Sequence, residues 1–234
     1  YLNVTKPAIH AGYAFVYMLK KFGIKVKNQS PKKKKTPKNA KRLLSFKSLA
    51  LREIVVLMNK FSNNLIADTL ILTLGLELKG RGNVRSGIQV IKEEATRLGI
   101  NYGDFKIVSG SGLTRKNKMS ARHFIKLLNA AYLDFDVLPE LLASMPIAGR
   151  DGTLKTRMVE TSAFGRLRAK TGTIFGVSTL TGIVQSKGGD LLSFAVLMND
   201  KLKNPEDLRP WQNYFGQALA DYNRVPAHNG TGGR

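Results

Sequence analysis

The hydrophobic period of this chain changes in its last third, and that change limits the folds open to it. Residues 166–171, 177–185 and 191–199 alternate or run apolar as strands do. Lys187-Gly188-Gly189-Asp190 supplies a hairpin turn between the second and third. A helix opening at Pro205 or Glu206 then runs through about Tyr222. Upstream, the spacing is helical. It predicts helices over residues 7–22 with a stop at Gly23, from a Ser48 cap through Phe61, and over 65–74 ended by Gly75. Further helices are predicted over 86–98 ended by Gly99, from a Ser120 cap through Tyr132, and over 138–145. Residues 24–26 and 43–46 read as short strands. The fold class is α+β: an antiparallel sheet flanked by helices, with a helical subdomain.

At 234 residues the chain can bury a real core as one large domain, or one domain and part of another. It contains no cysteine, which excludes a disulfide-stapled scaffold. No apolar run reaches the length of a bilayer span. The net charge of +22 is unevenly spread: residues 1–60 carry 15 Lys and Arg against one acid, Glu53. Such a field attracts polyanions. Nucleic acid, anionic envelope polymers and lipid head groups all qualify. No RNA- or DNA-reading motif is present, so no nucleic-acid partner is expected. Lys32 to Lys35 lie between Pro31 and Pro37, which prevents a continuous helical basic face and favours a solvated loop. The chain opens at Tyr1 without a Met or a signal-like segment, so its start reads as cut or processed. Residues 229–234 read as a loose tail.

Two short motifs carry chemistry. In Lys170-Thr171-Gly172, followed by Thr173, lysine supplies a cation and threonine a hydroxyl for a substrate carboxylate. Glycine leaves room for a substrate backbone to lie against the strand. A lysine on a central strand is out of place for packing, since a buried unpaired ammonium is costly. A functional role is the more economical reading of Lys170. Ser62-Asn63-Asn64 breaks two apolar helices. Its hydroxyl can relay a proton to a leaving amine, and its amide can hold a substrate backbone and orient a lysine. In isolation the tripeptide reads more simply as a capping turn.

Other features have plainer readings. Ser109-Gly110-Ser111-Gly112-Leu113 is not a nucleophile elbow, because Val108 stands where the first glycine is needed. It reads as a tight turn, and Gly149-Arg150-Asp151-Gly152 as a structural loop. His10, His123 and His228 match no metal spacing. Asp68 faces either the cleft or the helix surface. Trp211 reads as core on the terminal helix.

The two motifs stand in order, 108 residues apart, among further matching stretches: Asn3-Val4-Thr5-Lys6-Pro7-Ala8, Met58 to Asp68, Ser109 to Leu113 followed by Asn117, Pro146 to Leu154, and Ala169 to Ser178. Together they resemble the penicillin-binding proteins of the D-alanyl-D-alanine carboxypeptidase/endopeptidase type with inserted domains, peptidase family S13. The resemblance covers nearly the whole chain and implies a β-lactamase/transpeptidase-like fold. It implies serine acyl-enzyme chemistry on peptidoglycan stem peptides, acylation by β-lactams, no metal and no cofactor. Carried over, Ser62, Asn64 and Lys170 are catalytic, and Thr171, Gly172 and Thr173 bind substrate. The Thr173 N–H is an oxyanion donor, and the Thr171 and Thr173 hydroxyls hold the substrate carboxylate.

One departure matters. The family's Ser-x-x-Lys motif, which supplies nucleophile and base, has one match here, Ser30-Pro31-Lys32-Lys33. That match lies in the basic loop with a proline inside the spacing, and it is rejected as a nucleophile. The expectation is that the true motif precedes Tyr1. Residues 1–46 would then end an inserted accessory domain, 47–225 form the returning part of the catalytic domain, and 226–234 a flexible tail. The resemblance also implies a periplasmic or otherwise extracytoplasmic location. The alternative is a non-catalytic peptidoglycan-binding module of the same fold.

Overall fold

The structure is a computed structural model that describes residues 4–224. Asn3, His228 and the expected tail lie outside the described residues. The chain divides into two compact units, Tyr1–Ser48 and Leu49–Arg234.

The first unit contains α1, Pro7–Lys21, with proline in its first turn and Lys20 and Lys21 in its last. Gly23, at φ +78°, follows its end. A β-carbon on Gly12 would lie 2.4 Å from Pro31 Cβ, so the coil after α1 folds back onto the helix there. The strands expected over 24–26 and 43–46 do not form. Leu43, Leu44 and Phe46 are exposed, and the described residues of the unit offer no strand for them to pair with. β-Propensity without a cross-strand partner does not hold a strand.

The second unit contains α2 (Leu51–Phe61), α3 (Asn64–Lys79), α4 (Val84–Arg97), α5 (Ala121–Tyr132), α6 (Leu138–Ser144), β1 (Leu167–Ile174), β2 (Val177–Gln185), β3 (Leu191–Asn199) and α7 (Pro205–Asp221). The strands form an antiparallel sheet in the order β1-β2-β3, with Lys170 opposite Thr181 and Leu180 opposite Val196, so among the described residues the Lys170 strand is an edge strand and not the central one expected. Leu154, Leu167, Ala169, Leu180, Val184, Phe194 and Ala220 form the main core between sheet and α7.

Three helix boundaries differ from expectation. Ala50, not Ser48, occupies the N-cap of α2, and the Glu53 carboxylate accepts from its N–H at 2.8 Å. Helix α4 starts earlier, because Asn83 accepts from Ser86 N at 2.9 Å and takes the cap. Helix α3 runs through Gly75 to Gly80, which is left-handed at φ +66°. Gly75 serves packing: a β-carbon there would lie 2.8 Å from Gly87 N, and one on Gly87 would lie 1.9 Å from Ile71 O. The glycine pair lets α3 and α4 approach closely.

Trp211 is not core. The inward stripe of α7 is Leu208, Gln212, Gly216 and Ala220, spaced by four. Trp211 falls outside that stripe and is 64% exposed, with its ring 6.3 Å from Tyr214. Helical phase, not aromatic character, decides its place.

Candidate active site

The junction of α2 and α3 builds one wall of a cleft. Ser62 ends α2 in the left-handed region, at φ 51° and ψ 48°, a conformation uncommon for a residue with a side chain. Asn63 caps α3, accepting from Ile66 N at 3.1 Å. The capping role suggested by the motif therefore belongs to its middle residue. Ser62 and Asn64 both line the cleft.

Strand β1 builds the facing wall. Leu167 and Ala169 are buried in the core, and by strand alternation Lys170 projects from the other face. Its ammonium donates to Ser62 Oγ at 2.8 Å and to the Thr171 carbonyl at 2.6 Å. Both partners are neutral oxygens. Burial pushes the Lys170 ammonium down to a pKa of about 8, since desolvation penalises the charged form. Thr171 Oγ1 donates to Thr153 Oγ1 at 2.9 Å. A β-carbon on Gly172 would lie 2.4 Å from Thr179 Oγ1 on β2, so the neighbouring strand alone demands glycine there. Thr173 is exposed on the same cleft.

The cleft has a volume of about 1240 Å³, and all six sequence-predicted site residues line it: Ser62, Asn64, Lys170, Thr171, Gly172 and Thr173. That space exceeds a typical small-ligand pocket and suits an extended ligand. Ser111, Thr114 and Arg115 also line it. Arg115 donates to the Phe175 carbonyl just beyond β1.

Several contributors lie outside the six predicted site residues. Asp68 Oδ1 accepts from both Gly110 N and Ser111 N at 2.9 Å, and so fixes the serine-rich turn to α3. Partial burial raises its carboxyl pKa, but hydrogen bonds from Ser111 and Gly110 outweigh that and hold it below the ordinary value. Asn117 braces the turn from the other side, accepting from Val108 N at 2.8 Å and donating to Ser109 O at 3.1 Å. The spacing of Asp68 after Asn64, one helical turn, was the available signal. Thr153 left none.

The Ser30-x-x-Lys33 match lies in exposed coil of the first unit, where Ser30 N donates to Asn28 Oδ1 at 3.1 Å. His123 is buried, accepts from Ser120 N at 3.3 Å and meets Phe105 edge-on. Among the described residues no group of three His, Asp or Glu side chains is placed to hold a metal ion. No helix among them is long and apolar enough to cross a membrane.

An antiparallel sheet whose Lys-Thr-Gly strand edges a cleft opposite Ser-x-Asn places the chain in the β-lactamase/transpeptidase-like fold class. Solved structures agree. TLA-3 extended-spectrum β-lactamase superposes with a TM-score of 0.59 at 18% identity, over 92% of this chain and 82% of that one. Penicillin-binding protein 4 (dacB) from Haemophilus influenzae, complexed with a β-lactam, superposes at 0.78 with 24% identity, over 95% of this chain and 53% of that one. More narrowly, the chain belongs to the D-Ala-D-Ala carboxypeptidase 3 (S13) family, whose model matches residues 1–220. It is 34% identical over 204 residues to the D-alanyl-D-alanine carboxypeptidase of Actinomadura sp. (strain R39). That match covers 84% of this chain and 38% of the relative, so the chain spans well under half of the relative's length.

Proposed function

We propose that this chain forms two of the three active-site elements of a serine-type D-Ala-D-Ala carboxypeptidase or endopeptidase acting on peptidoglycan stem peptides. The observation that carries the reading is the 2.8 Å hydrogen bond from Lys170 Nζ to Ser62 Oγ, between the two motif walls of one cleft. The nucleophilic serine and its lysine base come from a Ser-x-x-Lys helix outside these residues.

In this scheme the serine oxygen bonds to the carbonyl carbon of the penultimate D-Ala and its proton passes to the base. The Thr173 N–H stabilises the developing oxyanion, and the Thr171 and Thr173 hydroxyls hold the terminal carboxylate. As the amide C–N bond breaks, Ser62 Oγ passes a proton to the leaving amine and is reprotonated through Lys170. Asn64 holds the substrate backbone. Water then hydrolyses the ester and regenerates the serine. Burial supports the Lys170 role, because an ammonium with a pKa of about 8 gives up its proton more readily than an exposed lysine.

The same reading makes residues 1–46 the end of an inserted domain and 47–225 the returning part of the catalytic domain. It places the protein outside the cytoplasmic membrane, where peptidoglycan lies. The Lys32–Lys35 run, exposed throughout, suits anionic envelope polymers.

The missing Ser-x-x-Lys helix favours one second reading: a non-catalytic module that binds peptidoglycan through the same cleft. Labelling with a fluorescent penicillin separates the two. The protein carrying this chain with its preceding segment becomes covalently labelled if it is an enzyme, and this chain alone does not. A folded intact protein that takes no label overturns the enzymatic reading.

A further inference from the structure

Lys60 lies two residues before Ser62 and is a second lysine close to the cleft motif, yet its ammonium points elsewhere. It donates to Asp151 Oδ2 at 2.7 Å and to the Met145 carbonyl at 2.6 Å. The Lys60 side chain is only 12% exposed. The other Asp151 oxygen accepts from Ile147 N at 2.8 Å, so one carboxylate ties α2 to the segment following α6.

That segment is fastened to β1 as well. Ala148 N donates to Leu167 O at 2.9 Å, and Ala169 N to Pro146 O at 3.0 Å. Further along, Thr153 meets the Thr171 hydroxyl. Gly152, at φ +54°, sits so close to α2 that a β-carbon would lie 2.7 Å from Lys60 O. Residues 145–153 therefore touch the Ser62 wall and the Lys170 wall at once.

We infer that the Lys60–Asp151 ion pair is a brace that sets the separation of Ser62 from Lys170, with Lys60 and Asp151 as positioning residues for the acyl-transfer site. The inference rests on the function proposed above. Neither side chain is among those lining the wall at Ser62 and Lys170 that meet substrate; they act through the backbone that carries those walls. Proton relay between two fixed groups tolerates little misplacement, and a 1 Å error can cost on the order of 100-fold in rate.

The test uses the intact protein that carries this chain, with Asp151→Asn as the mild variant and Asp151→Ala as the severe one. Two quantities are read: the Ser62 Oγ–Lys170 Nζ separation in crystal structures, and penicillin acylation resolved into reversible binding and a first-order rate. The brace predicts that the separation opens beyond hydrogen-bond reach. It also predicts that the acylation rate falls about tenfold or more while reversible binding changes less than about twofold. If Asp151→Ala does not fold, Asp151→Asn decides. A separation retained at 2.8 Å with an unchanged acylation rate overturns the brace, even if the melting temperature falls. If the wild-type protein is not acylated, the proposed function fails, while the separation still decides the brace.

Discussion

Lys170 and Ser62 stand 108 residues apart in sequence and 2.8 Å apart in space, the ammonium donating to the hydroxyl. The bond joins a strand to a helix terminus across the cleft, and among the described residues no carboxylate pairs with the lysine. Burial without a counter-ion is what lowers the Lys170 pKa to about 8.

That lowering has a thermodynamic sign. The unfolded lysine titrates near 10.5 and the folded one near 8, so between those values the unfolded state binds more protons. Lys170 therefore makes the fold more stable as pH rises through this window, and the contribution is lost again as pH falls through 8. Unfolding free energies measured from pH 7 to 10.5 should rise by on the order of 3 kcal/mol relative to the Lys170→Met variant, in which this slope is absent.

Ser62→Ala removes the hydroxyl that receives the Lys170 ammonium. In the intact protein, penicillin acylation should slow by roughly 100-fold or more, the scale of a lost proton-transfer group. Stopped-flow acylation measures this, and reversible binding should hardly change.

Gly172→Ala places a β-carbon against Thr179 Oγ1, at 2.4 Å without relaxation. Overpacking of this kind costs about 1–3 kcal/mol. Urea unfolding should show that loss, and adding Thr179→Ala should recover most of it.

Asp68 holds two backbone N–H groups of the serine-rich turn. Asp68→Ala should speed amide exchange at Gly110 and Ser111 and leave the α7 amides unchanged. Asp68→Asn keeps an acceptor and should give the smaller effect.

Much of this was legible in the sequence because it is local or periodic. The three strands, the turn at 187–190 and the helix opening at Pro205 follow from period and turn chemistry. Lys170 was legible because a lysine on a strand is costly unless it has work to do, whereas Ser62 and Asn64 read as a capping turn and became site residues only through the ordered motifs and the family resemblance. The rest depended on partners far away in sequence. Gly75 looked like a stop, but only the approach of Gly87 shows why α3 passes through it. Leu43 to Phe46 has strand-like composition, but the described residues of its unit include no partner strand. The Thr153–Thr171 and Lys60–Asp151 contacts leave no trace in spacing, since each joins two loops or elements whose approach is set by packing.

The deciding measurement is hydrolysis of peptidoglycan stem peptides, read both as free D-alanine from a D-Ala-D-Ala end and as opening of D-Ala cross-links. The intact protein carrying this chain is predicted to give one or both, and Lys170→Met to lose nearly all of that rate while remaining folded. A folded wild-type protein that gives neither, or a Lys170→Met variant that keeps the full rate, would contradict the proposed function.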